Sequence, residues 1–236
     1  MTDFTKYVLD RLEPTDWEHV DKYPAIRTLP QTVANVEHLI PLRYQYRPRY
    51  DQGYEGACVG FSLSWMMSLL NKKFYDAQWL YLEAQKVDEW PGENYEGTSV
   101  RAGMDILRNV GHKEIHDPRH NHGILLGDGI AVNRWATTVD QIRTSISLGV
   151  PVVVGSNWYE NFYEPVKVGR DYWIGEGNLG RIFGGHAWCI YGASDKRQAF
   201  KFTNSWGKEY PLTWIPYETV QRLLNENGEA TLATDR

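Results

Sequence analysis

The chain has 236 residues, a formal net charge of −5, and 42% hydrophobic and 23% charged residues. That balance excludes a disordered chain and allows one large domain or two lobes sharing a core. The acidic charge and the lack of a basic run argue against a nucleic-acid partner, and no stretch approaches the ~18 apolar residues of a membrane span.

The opening segment MTDFTKYVLDRLEPTDWEHV has no basic start followed by an apolar run, so no signal peptide is read there. Two cysteines, Cys58 and Cys189, make no disulfide framework. Together these predict a cytoplasmic or otherwise non-secreted setting, a viral particle included. The 10 Trp and 15 Tyr fit a ring-lined cleft or a well-filled core equally well.

Asp3 to Leu12 reads as a short helix, and the rest of residues 1–49 as an extended arm or short cap. Cys58 to Leu70, CVGFSLSWMMSLL, is apolar nearly all round, as in a helix buried on most sides. Asp76 to Val87 is a second helix, stopped before Pro91. Ser99 to Val110 is a third, with Val100, Met104, Leu107 and Val110 as its apolar stripe and Gly111 after its end. GHKEIHDPRHNHG carries His112, His116, His120 and His122, but Pro118 and a turn-like composition leave no helix to align them. It reads as a solvated loop and not as a metal site. Thr138 with Gln141 resembles a capping box that opens a helix running to Leu148.

The character then changes. Pro151–Ser156, His186–Ser194 and Ala199–Trp206 read as strands, followed by a helix from Pro216 or Tyr217 to about Asn225. GEGNLG, Gly175 to Gly180, matches a dinucleotide fingerprint in letters only. No helix follows it, so it reads as the loop leading into the His186 strand. Helices first and strands second predict an α+β protein of two lobes, with a helical lobe over about 50–135 and a β lobe over about 136–236. No metal and no cofactor is expected.

One stretch stands apart. In YDQGYEGACVGFS, Cys58 follows a glycine-rich turn and sits where a helix begins. Taken alone, such a cysteine is more often inert core than reactive. A nucleophilic cysteine needs a thiolate, a base and donors for an oxyanion. The positive end of a helix favours thiolate. Gln52, six residues earlier, has an amide that can donate to an oxyanion beside the Cys58 N–H. His186 in GGHAWCIYGA is a candidate base. Asn204 in FTNSWG can orient the imidazole, and Trp206 can cover the bond between them. Cys189, inside an apolar strand, reads as core.

These three segments, in this order, resemble those of the papain-like cysteine peptidases. DQGYEGACVGFS is similar to the family's nucleophile segment, GGHAWCIYG to its histidine strand and TNSWG to its Asn-Ser-Trp-Gly. The resemblance covers roughly Leu42 to Tyr217. It implies a two-lobed α+β fold, with the nucleophile on a helix of one lobe and an antiparallel sheet or barrel in the other. It implies Cys58 as nucleophile, His186 as base and then acid, Asn204 as its orienting partner and Gln52 in the oxyanion hole. It further implies substrate contacts at Gly56, Gly97, Thr98, Gly155, Ala187 and Trp206, with a polypeptide as the partner. Glu55 stands where the family usually has a cysteine, Val59 replaces a Trp, Gly185 replaces a polar residue, and the arm is too short for a full inhibitory propeptide. These departures suggest a divergent, intracellular, bacterial or viral type of member. The same site chemistry serves amidases, isopeptidases and acyl transferases acting on cell-wall peptides, and the scaffold also serves binding proteins that have lost the chemistry.

Overall fold

A computed structural model describes residues 33–43, 46, 47, 50–90, 96–117 and 122–235. The helix expected over Asp3–Leu12 lies outside them.

Helix α1, Cys58–Asn71, is the axis of the molecule, and every residue from Cys58 to Leu69 is buried. Three serines on this apolar rod each have a partner. Ser62 Oγ donates to the Ala187 carbonyl at 2.7 Å, Ser64 Oγ donates to the Gly60 carbonyl at 2.7 Å, and Ser68 Oγ bonds the Tyr50 hydroxyl at 2.7 Å. A buried hydroxyl left unpaired would cost more than the bond contributes, so these pairs are what allow serine inside the rod. Lys72, at φ 59°, ends the helix in the left-handed region and returns its N–H to the Ser68 carbonyl. Helices α2, Ala77–Ala84, and α3, Val100–Asn109, pack on α1. They approach closely because Gly60 and Gly103 face them: a Cβ at Gly60 would lie 2.5 Å from the Ala77 carbonyl oxygen, and one at Gly103 would lie 2.4 Å from a Leu63 methyl. Asp76 and Ser99 cap α2 and α3 with side-chain oxygens, as their sequence positions imply. Val110, expected in the α3 stripe, is exposed.

The other side of α1 meets a large sheet. Its strands are β1 Glu37–Leu39, β4 Ile130–Trp135, β5 Val152–Tyr159, β6 Val166–Val168, β7 Asp171–Trp173, β8 Ile182–Ser194, β9 Ala199–Thr203, β10 Thr213–Pro216 and β11 Glu229–Asp235. Their order is β4-β11-β5-β8-β9-β10-β7-β6, with β1 pairing β8, and all neighbours are antiparallel except β7 and β10. Helix α4, Val139–Ser147, is capped by Thr138, while the Gln141 side chain returns to the N–H of Thr137 at 2.7 Å, one residue earlier than the expected box. Helix α5 runs Tyr217–Asn225. The architecture is α+β, with a helical layer and a sheet meeting along α1.

The histidine run corrects the sequence reading. His112–Asp117 and His122–Asp128 form the antiparallel pair β2–β3 where a loop was expected, while 118–121, with Pro118 and His120, lie outside the described residues. The charges of this pair are drawn inward by residues 73–76. Lys113 Nζ bonds Asp76 at 2.8 Å, Lys73 Nζ bonds Glu114 at 2.9 Å and Asp128 at 2.7 Å, and the main chain of 113–115 bonds that of 74–76. His112 is fully buried and stacks on Tyr75 with centroids 4.6 Å apart. Its Nδ1 accepts the Lys113 N–H at 2.9 Å, so Nε2 carries the proton and donates to Ser64 Oγ at 2.8 Å. That tautomer makes the His112–Ser64 pair a satisfied core contact, since the nitrogen facing the serine has no lone pair to act as a base.

Burial pushes His112 down to about 3 from its ordinary 6.5. The unfolded chain therefore binds a proton that the folded chain refuses. The stability from this source is complete above about pH 6.5 and is lost as pH falls toward 3. Urea denaturation of His112→Gln against the parent chain should show a pH dependence shallower by about 1.4 kcal/mol per pH unit between roughly pH 6 and 4.

Candidate active site

The nucleophile candidate is the first residue of α1, following Ala57 in the capping position. No side chain caps this end, so the partial positive charge of the first turn is not neutralised by a local carboxylate. The Ala187 N–H donates to Cys58 Sγ at 3.0 Å. Ala187 thus binds α1 twice, through its N–H to Cys58 and through its carbonyl to Ser62. The residue before it on β8 is His186. Sequence positions 58, 186 and 187 therefore meet at one point of the helix–sheet junction.

His186 Nε2 lies 2.7 Å from Asn204 Oδ1. The same oxygen accepts the Ser205 N–H at 2.7 Å, which identifies it as the oxygen end of the amide. Nε2 must then be the protonated nitrogen, and the lone pair sits on Nδ1, which has no partner in the structure. Burial pushes the imidazole down to about 4, while the Asn204 bond acts in the opposite direction. At neutral pH it is a neutral ring with an available basic nitrogen.

A second set of bonds joins the loop before α1 to the loop after β9. Asp51 and Trp206 form an antiparallel bridge. The Gln52 N–H donates to the Ser205 carbonyl at 2.8 Å and the Gly207 N–H to the Tyr50 carbonyl at 3.3 Å. The Ser205 hydroxyl donates to Gln52 Oε1, and Gln52 Nε2 donates to the Glu55 carbonyl at 2.8 Å. The Gln52 amide is thus held at both ends. Glu55, whose side chain is exposed, takes part through its main chain.

Among the expected substrate contacts, Gly155 pairs with Ala187 across β5 and β8, and both are buried. Gly56 donates its N–H to Glu96 Oε2 at 3.1 Å. The Gly97 N–H goes to the Tyr81 hydroxyl and its carbonyl to Gln85, each at 3.2 Å. Thr98 is buried and donates to Asp88 at 2.9 Å. These groups of Gly97 and Thr98 hold their own loop together, while the neighbouring Glu96 ties that loop to Gly56, two residues before Cys58.

No protein-family model matches the sequence, and no curated protein matches it. Solved structures do. Xylellain, a cysteine protease from Xylella fastidiosa, is 19% identical and aligns over 98% of this chain and 96% of its own, with a TM-score of 0.57. Procathepsin B from Trypanosoma congolense is 10% identical over 99% and 88%, with a TM-score of 0.65. The digestive procathepsin L2 proteinase from Tenebrio molitor larval midgut is 16% identical over 99% and 81%, with a TM-score of 0.61. The chain has a papain-like fold.

Within the papain-like frame, two residues near the imidazole escape sequence reasoning. Trp158 meets the His186 ring edge-on, with centroids 4.6 Å apart, beside Trp206, which lies 4.9 Å from the imidazole and 5.5 Å from Trp158. The expected strand ended at Ser156, but β5 continues to Tyr159, and Trp158 repeats the face on which Ser156 opposes His186. The period-two continuation Ser156, Trp158 was the available signal. Ser205 is the other: it lies inside TNSWG, but its double hold on Gln52 and Asn204 appears only once the loops meet.

Gly207 anchors that meeting point. It stands at φ 61°, and a Cβ there would lie 2.5 Å from an Asp51 carboxylate oxygen. Gly207→Ala should destabilise the fold by about 1–2 kcal/mol, the cost of left-handed backbone at an L-residue. Thermal melting should fall by roughly 2–8 °C.

Proposed function

We propose that this protein hydrolyses peptide bonds through a thioester on Cys58. The observation that carries the reading is His186. Its Nε2 is committed to Asn204 and its Nδ1 is left basic, one residue from the N–H that touches Cys58 Sγ.

Sγ gives its proton to His186 Nδ1 and attacks the substrate carbonyl carbon. The thiolate is favoured by the positive end of α1 and by the Ala187 N–H. The carbonyl electron pair moves to oxygen, and the Cys58 N–H and the Gln52 amide stabilise the charge there. The oxyanion then collapses, the carbon–nitrogen bond breaks, and the leaving nitrogen takes the proton from His186. Water, deprotonated by the same nitrogen, attacks the thioester and releases the acid and the thiol. Trp158 and Trp206 keep water from competing for the His186–Asn204 bond.

Turnover of a mixed peptide library should vanish in Cys58→Ala with the circular dichroism spectrum preserved. In Gln52→Ala it should fall by roughly 10²–10³. A peptidyl epoxide should alkylate Cys58 and spare Cys189, whose buried thiol is held far above the ordinary range by desolvation. Equal labelling of the two, read by peptide mass mapping, would remove the basis for the reading. The acid limb of kcat/KM should fall near pH 4, because His186 accepts no second proton once it is charged.

A further inference from the structure

A cleft of about 880 Å³ opens beyond the imidazole. Tyr163, Trp173 and Phe183 line it with rings, and the carboxylates of Glu160, Glu164 and Glu176 stand at its rim. One of its lining rings, Tyr163, links it to the imidazole by way of Trp206. Tyr163 stacks on Trp206 at 5.4 Å and 13°, and Trp206 is 4.9 Å from His186. Phe183 meets Tyr163 edge-on at 5.4 Å, is 39% exposed, and lies on β8 three residues before His186.

The three glutamates are exposed, and none makes an ion pair among the described residues. Arg181 lies over Phe183 at 4.4 Å and keeps its positive charge there, but no Lys or Arg lines the cleft among the described residues. The cleft therefore offers apolar surface with three carboxylates at its edge against the one guanidinium over Phe183. An occupant that matches both is a peptide segment with a basic side chain, whose alkyl stem lies on the rings while its charge meets the carboxylates.

The direction of the substrate follows from the chemistry. His186 must hand its proton to the leaving nitrogen, so the chain after the cut lies on the imidazole side, toward Trp206 and this cleft. We propose that the cleft seats the leaving half of the substrate, and that Glu160, Glu164 and Glu176 select peptides carrying Lys or Arg within the first three positions after the cut. The inference rests on the reading of Cys58 and His186 as a hydrolytic pair.

The test uses the full chain and internally quenched peptides with a randomised acyl side and Lys, Ala or Glu at each of the first three positions after the cut. At the best position Lys should exceed Ala in kcat/KM by about tenfold, as a few partly screened charge contacts allow, with Glu below Ala. The advantage should shrink at about 0.5 M salt. In the Glu160→Gln, Glu164→Gln, Glu176→Gln triple variant the Lys-to-Ala ratio should approach one. A ratio near one in the parent chain, or a ratio unchanged in the triple variant, overturns the proposal. If Cys58 is labelled by a peptidyl epoxide and peptides are cut without a basic preference, this inference alone fails. If nothing is cut and Cys58 is not labelled, the hydrolytic reading fails with it.

Discussion

The candidate site depends on a small antiparallel clasp between residues 50–52 and 205–207. It fixes two functions at once. Ser205 holds the Gln52 side chain through its hydroxyl and the Gln52 main-chain N–H through its carbonyl, and holds Asn204 through its N–H. Asn204 in turn sets the tautomer of His186. The Gln52 side chain and the His186 ring are thereby both positioned through one residue, Ser205. The second tie is Ala187, whose two main-chain groups bind α1 at Cys58 and Ser62. Geometry is thus set by backbone bonds between the layers, which are stiffer than contacts between long side chains.

The price of this rigidity is burial. The imidazole is buried against Trp158 and Trp206, and burial lowers its proton affinity. A lone carboxylate partner would have raised it. The neutral amide of Asn204 orients the ring while adding no charge, so the ring remains an uncharged base over most of the pH range. His112 shows the inert version of the same burial. Its basic nitrogen is satisfied by a backbone N–H, and nothing remains for chemistry. Both nitrogens of His112 have partners while Nδ1 of His186 has none among the described residues, and that difference separates a core residue from a candidate base.

Much of this was legible in the sequence where local rules dominate. The all-round apolar run from Cys58 gave α1, the caps at Asp76, Ser99 and Thr138 gave three helix starts, and the three motifs in order anticipated the residues that meet at the site. What stayed hidden depends on partners distant in sequence. β2 and β3 look like a polar loop because their charges are neutralised only by Lys73 and Asp76. Four strands of three or four residues carry too short a pattern to be read alone. Trp158 looks like ordinary core until β5 is seen to continue beside His186. The engagement of Gly97 by Tyr81 and Gln85 could not be inferred from spacing at all.

The pairing of β5 with β8 carries a consequence for how such a chain can change. Val152 to Trp158 run in unbroken register against Gly184 to Ile190, while irregularities fall just outside, at Trp158/Tyr159 and at Ile190/Gly192. Side chains alternate between the two faces of a strand, so a slip of one residue inside this block would turn His186 away from Asn204 and bring a neighbour into its place. Insertions and deletions are therefore confined to the irregular flanks. Within the block the register tolerates substitution only, because a single-residue change in length there moves the His186 ring to the opposite face of the sheet, away from Asn204.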